Sequence, residues 1–355
     1  MNNYYNIDNV NRRAEKENAN FIIIYGGKSK GKSYQAKLKL MLQNYLNTGK
    51  RFVLLRRFED ELSKTKIELY FSDMNKNNEF LEMTGNKYNS ITKIADKIYF
   101  IRIENGKIIS KEHIGYAIAL NTEQNFSSIL SSKDINKIIF EEFQSRTRYI
   151  TDECEKFDFL YSTIDREQGT TKVYFMGNAI SKACPYWAHF GILDLIKKQK
   201  SNTIKSYEKN GKKILIEKTP VFNGKTTTVG DSAGAIARGD WYSTKQPQIK
   251  MKGHKRGIFY VNFDFNGLLF LGQLNCDDTG APYWFIREVE YFKNKKNLTV
   301  SNKAKSDYNY TDNIYKINNE RIKKIIDKTF RKDKIFFSTN ESGTDFKTAC
   351  IFNIH

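Results

Sequence analysis

Eight consecutive residues, Gly26-Gly27-Lys28-Ser29-Lys30-Gly31-Lys32-Ser33, carry the most specific chemistry in this 355-residue chain. They satisfy the pattern G-x-x-x-x-G-K-[ST] at every position. The glycines let the backbone curl until successive N–H groups converge on phosphate oxygens. A helix starting at the end of the loop would add its unpaired N–H groups and the positive end of its dipole. Lys32 is then placed to reach the β- and γ-phosphates of a nucleotide, and the Ser33 hydroxyl to ligate Mg²⁺. All eight residues are candidate ligands of ATP or GTP.

Such a loop needs an acidic partner on a neighbouring strand, and Ile138-Ile139-Phe140-Glu141-Glu142 supplies one. The first carboxylate of this Walker B pair supports Mg²⁺, usually through a bound water. The second, Glu142, orients and activates the attacking water. The first position is ordinarily aspartate; Glu141 is one methylene longer. A glutamate next to the Walker B acid marks the division of P-loop ATPases that holds RecA-like motors, AAA+ proteins and terminases. These carry an extra strand between the P-loop and Walker B strands, which Ile114–Leu120 is expected to supply. They read the γ-phosphate with a polar residue ending the next strand, here Asn178 after KVYFMG. Motors of this division form rings, in which a neighbour's arginine stabilises charge on the transferring phosphoryl group. Arg166, just before the Lys172 strand, is a candidate for that finger; Arg146, Arg148, Arg56 and Arg57 compete with it.

The elements that must hold these groups are legible in outline. Phe21–Tyr25 is a continuous apolar run, read as a buried strand. Leu38, Met41, Leu42, Tyr45 and Leu46 recur at helical spacing and predict one buried helix face, which Gly49 ends. Arg51–Arg57, Ile114–Leu120, Lys137–Phe140 and Lys172–Met176 read as further strands. Asn105-Gly106 marks a hairpin turn. Strands alternating with helices predict an α/β fold with a parallel-rich central sheet. From about Leu195 the chain turns Lys-rich, and Gly224–Gly239 is rich in small polar residues, so residues 196–250 are expected to link an ATPase domain (1–195) to a second domain (251–355). That second domain opens on period-2 text from Ile258 to Phe265, with Asn266-Gly267 turning it and Leu268–Leu274 returning. Ile322, Ile325, Ile326 and Phe330 predict a later helix.

Composition narrows the partners. A formal net charge of +19 favours a polyanion, most often nucleic acid. Lys64, Lys66, Lys133 and the Lys197–Lys213 cluster are candidate phosphate contacts. Cys154, Cys184, Cys276 and Cys350 form no CxxC pair, which fits neither a zinc site nor a dense disulfide framework and suits a reducing setting. The N-terminus is polar, and no apolar run reaches the ~20 residues of a membrane span; no membrane partner is expected.

NFIIIYGGKSKGKSY, FVLLRRFEDEL, the ENGK hairpin followed by IGYAIAL, KIIFEEF and KVYFMGNA together resemble the DNA-packaging ATPases of phi29-like tailed phages in order and spacing, over about Asn20–Tyr186. The resemblance implies a RecA-like ATPase domain, a linker domain and a smaller α+β C-terminal domain like an RNase H-type nuclease that has lost its catalytic acids. It implies Mg-ATP hydrolysis in a homopentameric ring at the portal of a prohead, in the host cytoplasm and absent from the mature virion. Double-stranded DNA is the expected cargo and a structural packaging RNA a further partner in some relatives. Residue by residue, it places Lys32 and Ser33 on phosphate and Mg²⁺, Glu141 and Glu142 in Walker B, Asn178 at the sensor and Arg166 on the trans-acting finger. Glu141 departs from the family pattern. The rival readings are a terminase-like enzyme whose nuclease acids are Asp264, Asp277, Asp278, Glu288 and Asp345, and a helicase or recombinase ATPase.

Overall fold

The structure, a computed structural model, describes residues 4–28, 31–126, 130, 133–145, 149–221, 245–249, 257–301, 310–311, 324, 329 and 334–353. Ser29, Lys30, Arg146, Arg148, the 224–239 stretch and the helix expected around Ile322–Phe330 lie outside the described residues or, for that helix, almost wholly so. The chain divides into two compact units. One comprises Met1–Phe143, Tyr149–Asn178 and Gln199–Gly224; the other Gln144–Arg148, Ala179–Lys198 and Lys225–His355.

The first unit is built on a nine-stranded sheet of order β3-β4-β5-β2-β6-β7-β1-β9-β8. In chain order the strands are β1 (Phe21–Gly26), β2 (Arg51–Arg56), β3 (Ser90–Ile94), β4 (Lys97–Glu104), β5 (Lys107–Ala119), β6 (Ile135–Glu141), β7 (Lys172–Asn178), β8 (Thr203–Lys209) and β9 (Lys212–Lys218). The run β5-β2-β6-β7-β1-β9 is parallel, and β3, β4 and β8 add antiparallel edges. The α/β expectation holds. Alternate residues of a strand face opposite sides, and both sides are covered. Ile22 and Ile24 pack with Leu40 and Met41 of the helical residues 32–48 and with Phe52 and Leu54. Phe21, Phe140 and Phe175 pack against Phe157 and Tyr161 of the helix Glu153–Asp165. Burial of each such side chain stabilises by about 1.5–3 kcal/mol.

Four expectations need correction. The strand between the P-loop strand β1 and the Walker B strand β6 is β7, which ends at Asn178; Ile114–Ala119 lies in β5, on the far side of β2, and Leu120 follows it. Sheet order depends on crossovers, which a local apolar run does not encode. Second, the Lys-rich stretch read as a linker is the hairpin β8–β9, and β9 pairs parallel with β1 along Phe21–Tyr25. Its edge strand β8 is half exposed and so reads polar, while Ile214, Leu215 and Ile216 of β9 are buried. Third, residues 179–195, expected in the ATPase domain, group with the second unit. Fourth, the helix after the loop is π-helical over Ala36–Leu42. Wider turns rotate the apolar face, so Leu40 is buried and Leu46 is 39% exposed. Gly49 ends the helix in a left-handed conformation, as expected.

In the second unit, a six-stranded sheet has the order β14-β13-β10-β11-β12-β15. These strands are β10 (Phe259–Phe265), β11 (Leu268–Cys276), β12 (Pro282–Glu288), β13 (Leu298–Ser301), β14 (Tyr310–Thr311) and β15 (Ile335–Phe337). β10, β11 and β12 are antiparallel, and β13 and β14 add in parallel beside β10. Asn266 and Gly267 both take positive φ in the expected two-residue turn. The helix Asn340–Asn353 covers one face, where Phe346 meets Phe263, Phe265, Phe270 and Phe337.

Candidate active site

The ends of β1, β7, β6 and β2 stand side by side at the carboxyl edge of the first sheet, where open α/β sheets bind ligands. Register sets Gly26 opposite Asn178, Glu141 opposite Met176 and Leu55 opposite Phe140. Gly26 leaves the sheet at φ 152, and a Cβ there would sit 2.0 Å from Thr219 Oγ1 at the end of β9. Only glycine fits that approach. Gly31 takes φ 90 at the start of the following helix, again a conformation suited to glycine. Gly27 is buried and Lys28 exposed.

Lys32 is 6% exposed. Its Nζ donates to the Gly27 carbonyl oxygen and, at 3.3 Å, to Asn178 Oδ1. Burial lowers its ammonium to about 8, against the opposing pull of Glu141. The loop lysine and the sensor asparagine are therefore already adjacent. A γ-phosphate entering between them would meet a cation and an amide donor, and its charge would restore the ammonium's preference for the charged form.

The exposed Ser33 donates from Oγ to Glu141 Oε2 at 3.1 Å, and Tyr70 donates from its hydroxyl to Oε1 at 2.8 Å. Burial raises the Glu141 carboxyl, while Tyr70, Arg56 and Ser33 hold it down. A hydroxyl and a carboxylate at the mouth of a phosphate loop form a hard oxygen donor set suited to Mg²⁺, so the residues present fit the metal the motif implies. Glu142 takes a left-handed conformation at φ 56. Backbone strain of that kind, of about 1–3 kcal/mol, gathers at functional sites. Its side chain is 65% exposed and pairs with Arg56 at 2.9 Å; Arg56 also holds Glu61 at 2.8 Å. A cavity of about 330 Å³ opens beside Arg56, Glu61 and Tyr70.

Arg57 is buried and grips Glu153 through two hydrogen bonds, at 2.6 and 2.7 Å. It also donates to the backbone carbonyls of Glu142 and Phe143. It thus buttresses the Glu142 turn and is not available to a neighbour's phosphate. Arg166 is exposed at the end of the helix Glu153–Asp165, donating at 3.4 Å to the Leu130 carbonyl. It precedes the first residue of β7, whereas Asn178 is the last. A seven-residue strand separates them by about 20 Å, so Arg166 is on the opposite edge of the sheet from its own phosphate loop. Arg56, Arg57 and Tyr70 carry parts of the site that sequence reasoning missed or misassigned. Arg56 ends a strand neighbouring Walker B, a placement visible only with the sheet order known; for Tyr70 no sequence signal exists.

The five C-terminal acids do not gather at one place; Glu288 and Asp345 meet only through Lys182. Asp264 Oδ1 accepts from the Gly267 backbone at the β10–β11 turn, and Asp277 ties the turn at the other end of β11. Asp278 is exposed beside Asp277. Glu288 pairs with Lys197 and Lys182, and buried Asp345 with Ser181 and Lys182. Among the described residues, no group of three or more His, Cys, Asp or Glu could hold a metal ion. Lys64 and Lys66 are exposed near Glu68 and Asp60. No helix of the described residues is long and apolar enough to cross a membrane.

Comparison with known proteins bears on the same residues. Residues 2–214 match the family Podovirus DNA encapsidation protein (Gp16). The chain is similar to the DNA packaging protein of Bacillus phage B103, 29% identical over 183 residues, and to that of Bacillus phage phi29, 25% identical over 183 residues. These matches cover 51% of this chain and 50% and 48% of those proteins, so the chain spans about half the length of the curated relatives it matches. Among solved structures, a chain of the bacteriophage Phi-29 viral genome packaging motor assembly aligns with a TM-score of 0.55 and 18% identity, covering 97% of this chain and 96% of that one. At that identity the likeness speaks for the fold. The family match spans more than half of the chain and contains the whole constellation from Gly26 to Asn178, and the chain belongs to the Podovirus DNA encapsidation protein (Gp16) family.

Proposed function

We propose that this protein hydrolyses Mg-ATP and uses the energy to move double-stranded DNA into a prohead, as one subunit of a ring. The observation that carries the reading is the convergence of Lys32, Ser33, Glu141, Glu142 and Asn178 on one sheet edge. Lys32 and the backbone of Gly26–Ser33 bind the β- and γ-phosphates. Ser33 and Glu141 would hold Mg²⁺, and the metal would supply charge neutralisation at the phosphate oxygens. Glu142 leaves Arg56 to accept a proton from the attacking water, and Asn178 reports the γ-phosphate to the chain that follows β7. Arg166 is too far from its own loop to serve it, which supports a role at a neighbour's site and hence a ring, a pentamer in the reading the resemblance implies. Contacts to DNA are mainly to phosphates, because a packaging motor accepts any sequence. The second unit supports an RNase H-like reading by its strand arrangement, three antiparallel strands extended in parallel beside the first. Its acids form no metal-holding group of three among the described residues, which favours a role in gripping DNA or docking on the portal over cutting. The motor works in the host cytoplasm on the prohead, with a packaging RNA as a further partner.

The test is steady-state ATP hydrolysis with and without double-stranded DNA and proheads, for the wild type and Glu142→Gln. Stimulation by DNA or proheads, lost in the variant while nucleotide binding persists, is the expected result. Turnover that neither partner stimulates and that the variant retains would remove Glu142 from the chemistry and the motor reading with it.

A further inference from the structure

We propose that Tyr70 is the positioning residue that makes a glutamate workable at the Mg²⁺-supporting position, by holding Glu141 so that its second oxygen faces Ser33. The inference rests on the reading of this edge as a Mg-nucleotide site. A glutamate has one more rotatable bond than the usual aspartate, so its carboxylate must be fixed by something besides its backbone. Here each carboxylate oxygen has its own donor: Tyr70 on Oε1 at 2.8 Å and Ser33 on Oε2 at 3.1 Å. Tyr70 is itself locked. Its carbonyl accepts from Lys37 Nζ at 2.7 Å, and the same ammonium lies 5.0 Å from its ring centroid and bonds Asp73 at 2.6 Å. Lys37 belongs to the π-helical turn of the very helix that starts with Lys32 and Ser33. The contacts close a circuit from Ser33 to Glu141 to Tyr70 to Lys37 and back to the helix of Ser33. π-turns concentrate at functional sites, and this one turns a lysine inward to anchor the tyrosine. An aspartate at 141 would fall about one methylene short of Tyr70, so the tyrosine and the glutamate work as a pair.

The alternative is that Tyr70 is a core tyrosine whose hydroxyl merely found an acceptor. Titrating Mg²⁺ against a fluorescent ADP analogue bound to the full chain separates the two. For Tyr70→Phe the Mg²⁺ concentration at half effect should rise about tenfold, as for loss of one charge-assisted hydrogen bond, while affinity for the analogue in excess chelator stays unchanged. In a Glu141→Asp background, adding Tyr70→Phe should shift nothing further. An unchanged Mg²⁺ midpoint in Tyr70→Phe, or an equal shift in both backgrounds, overturns the inference and leaves the site standing. Wild-type binding indifferent to Mg²⁺ would instead overturn the Mg-nucleotide reading itself, and the inference with it. Thermal unfolding of each variant shows whether it is folded in the titration.

Discussion

Glu217→Gln should stabilise this protein at neutral and alkaline pH and leave it nearly unchanged in acid. Glu217 stands in β9 opposite Ile24 of the P-loop strand, 7% exposed. The Tyr5 hydroxyl donates to its Oε2 at 2.5 Å, which ties the N-terminal segment to the sheet. Burial pushes the carboxyl up from its ordinary 4.5 to about 7, with the Tyr5 bond opposing. Because the folded value lies above the unfolded one, the folded state favours the protonated acid. That contribution is whole below the unfolded value and is lost as pH rises through the folded value. With roughly 1.4 kcal/mol per unit, the wild type forfeits about 2 kcal/mol by pH 6 and about 3 kcal/mol by pH 8. Glutamine keeps the shape and an acceptor for Tyr5 without ionising. Urea unfolding of both proteins from pH 5 to 8.5 measures the difference directly. A stability gap that stays constant over this range, or that favours the wild type more as pH rises, refutes the buried-acid argument.

Arg57→Ala should lower stability by about 3–5 kcal/mol, because it leaves buried Glu153 unpaired; denaturant unfolding at pH 7 checks this, and a loss under 1 kcal/mol would show that the pair is not buried in solution. Arg57→Lys should recover only part of the loss, since an ammonium cannot reproduce the paired bonds to Glu153 and the carbonyls of Glu142 and Phe143. Arg166→Ala and Glu142→Gln should each abolish DNA-stimulated hydrolysis alone and restore part of it when mixed in equal amounts, because an intact site then forms wherever an unaltered Arg166 meets an unaltered Glu142. Mixed assemblies without any recovery would place Arg166 outside a neighbour's site.

The parts of the site that were legible are those whose geometry is set by consecutive residues. A phosphate loop, an acidic strand end and a polar sensor each occupy a few adjacent positions, and the apolar runs before them identify the strands. The unread parts join distant positions: Tyr70 to Glu141, Arg56 to Glu142 and Tyr5 to Glu217. The Arg56 pair exists because the sheet sets β2 beside β6, and the other two join a helix end and the N-terminal segment to strands of that sheet; no local pattern states that order or that packing. The β8–β9 hairpin shows where more could have been read. Asn210-Gly211 turns it with positive φ at both residues, the same signal as Asn105-Gly106. The lysines around it masked the signal because an edge strand keeps one face in water. Recognising it would have replaced the expected linker with two strands; that β9 lies beside β1, with Thr219 against Gly26, comes from the sheet order. Sheet order also separates the arginines. Arg56 ends β2 at the carboxyl edge and can reach its own Glu142, Arg57 turns inward to Glu153, and Arg166 precedes β7 at the opposite edge. Among these three arginines, Arg166 alone stands away from its own phosphate loop, which is the placement the proposed role at a neighbouring subunit requires.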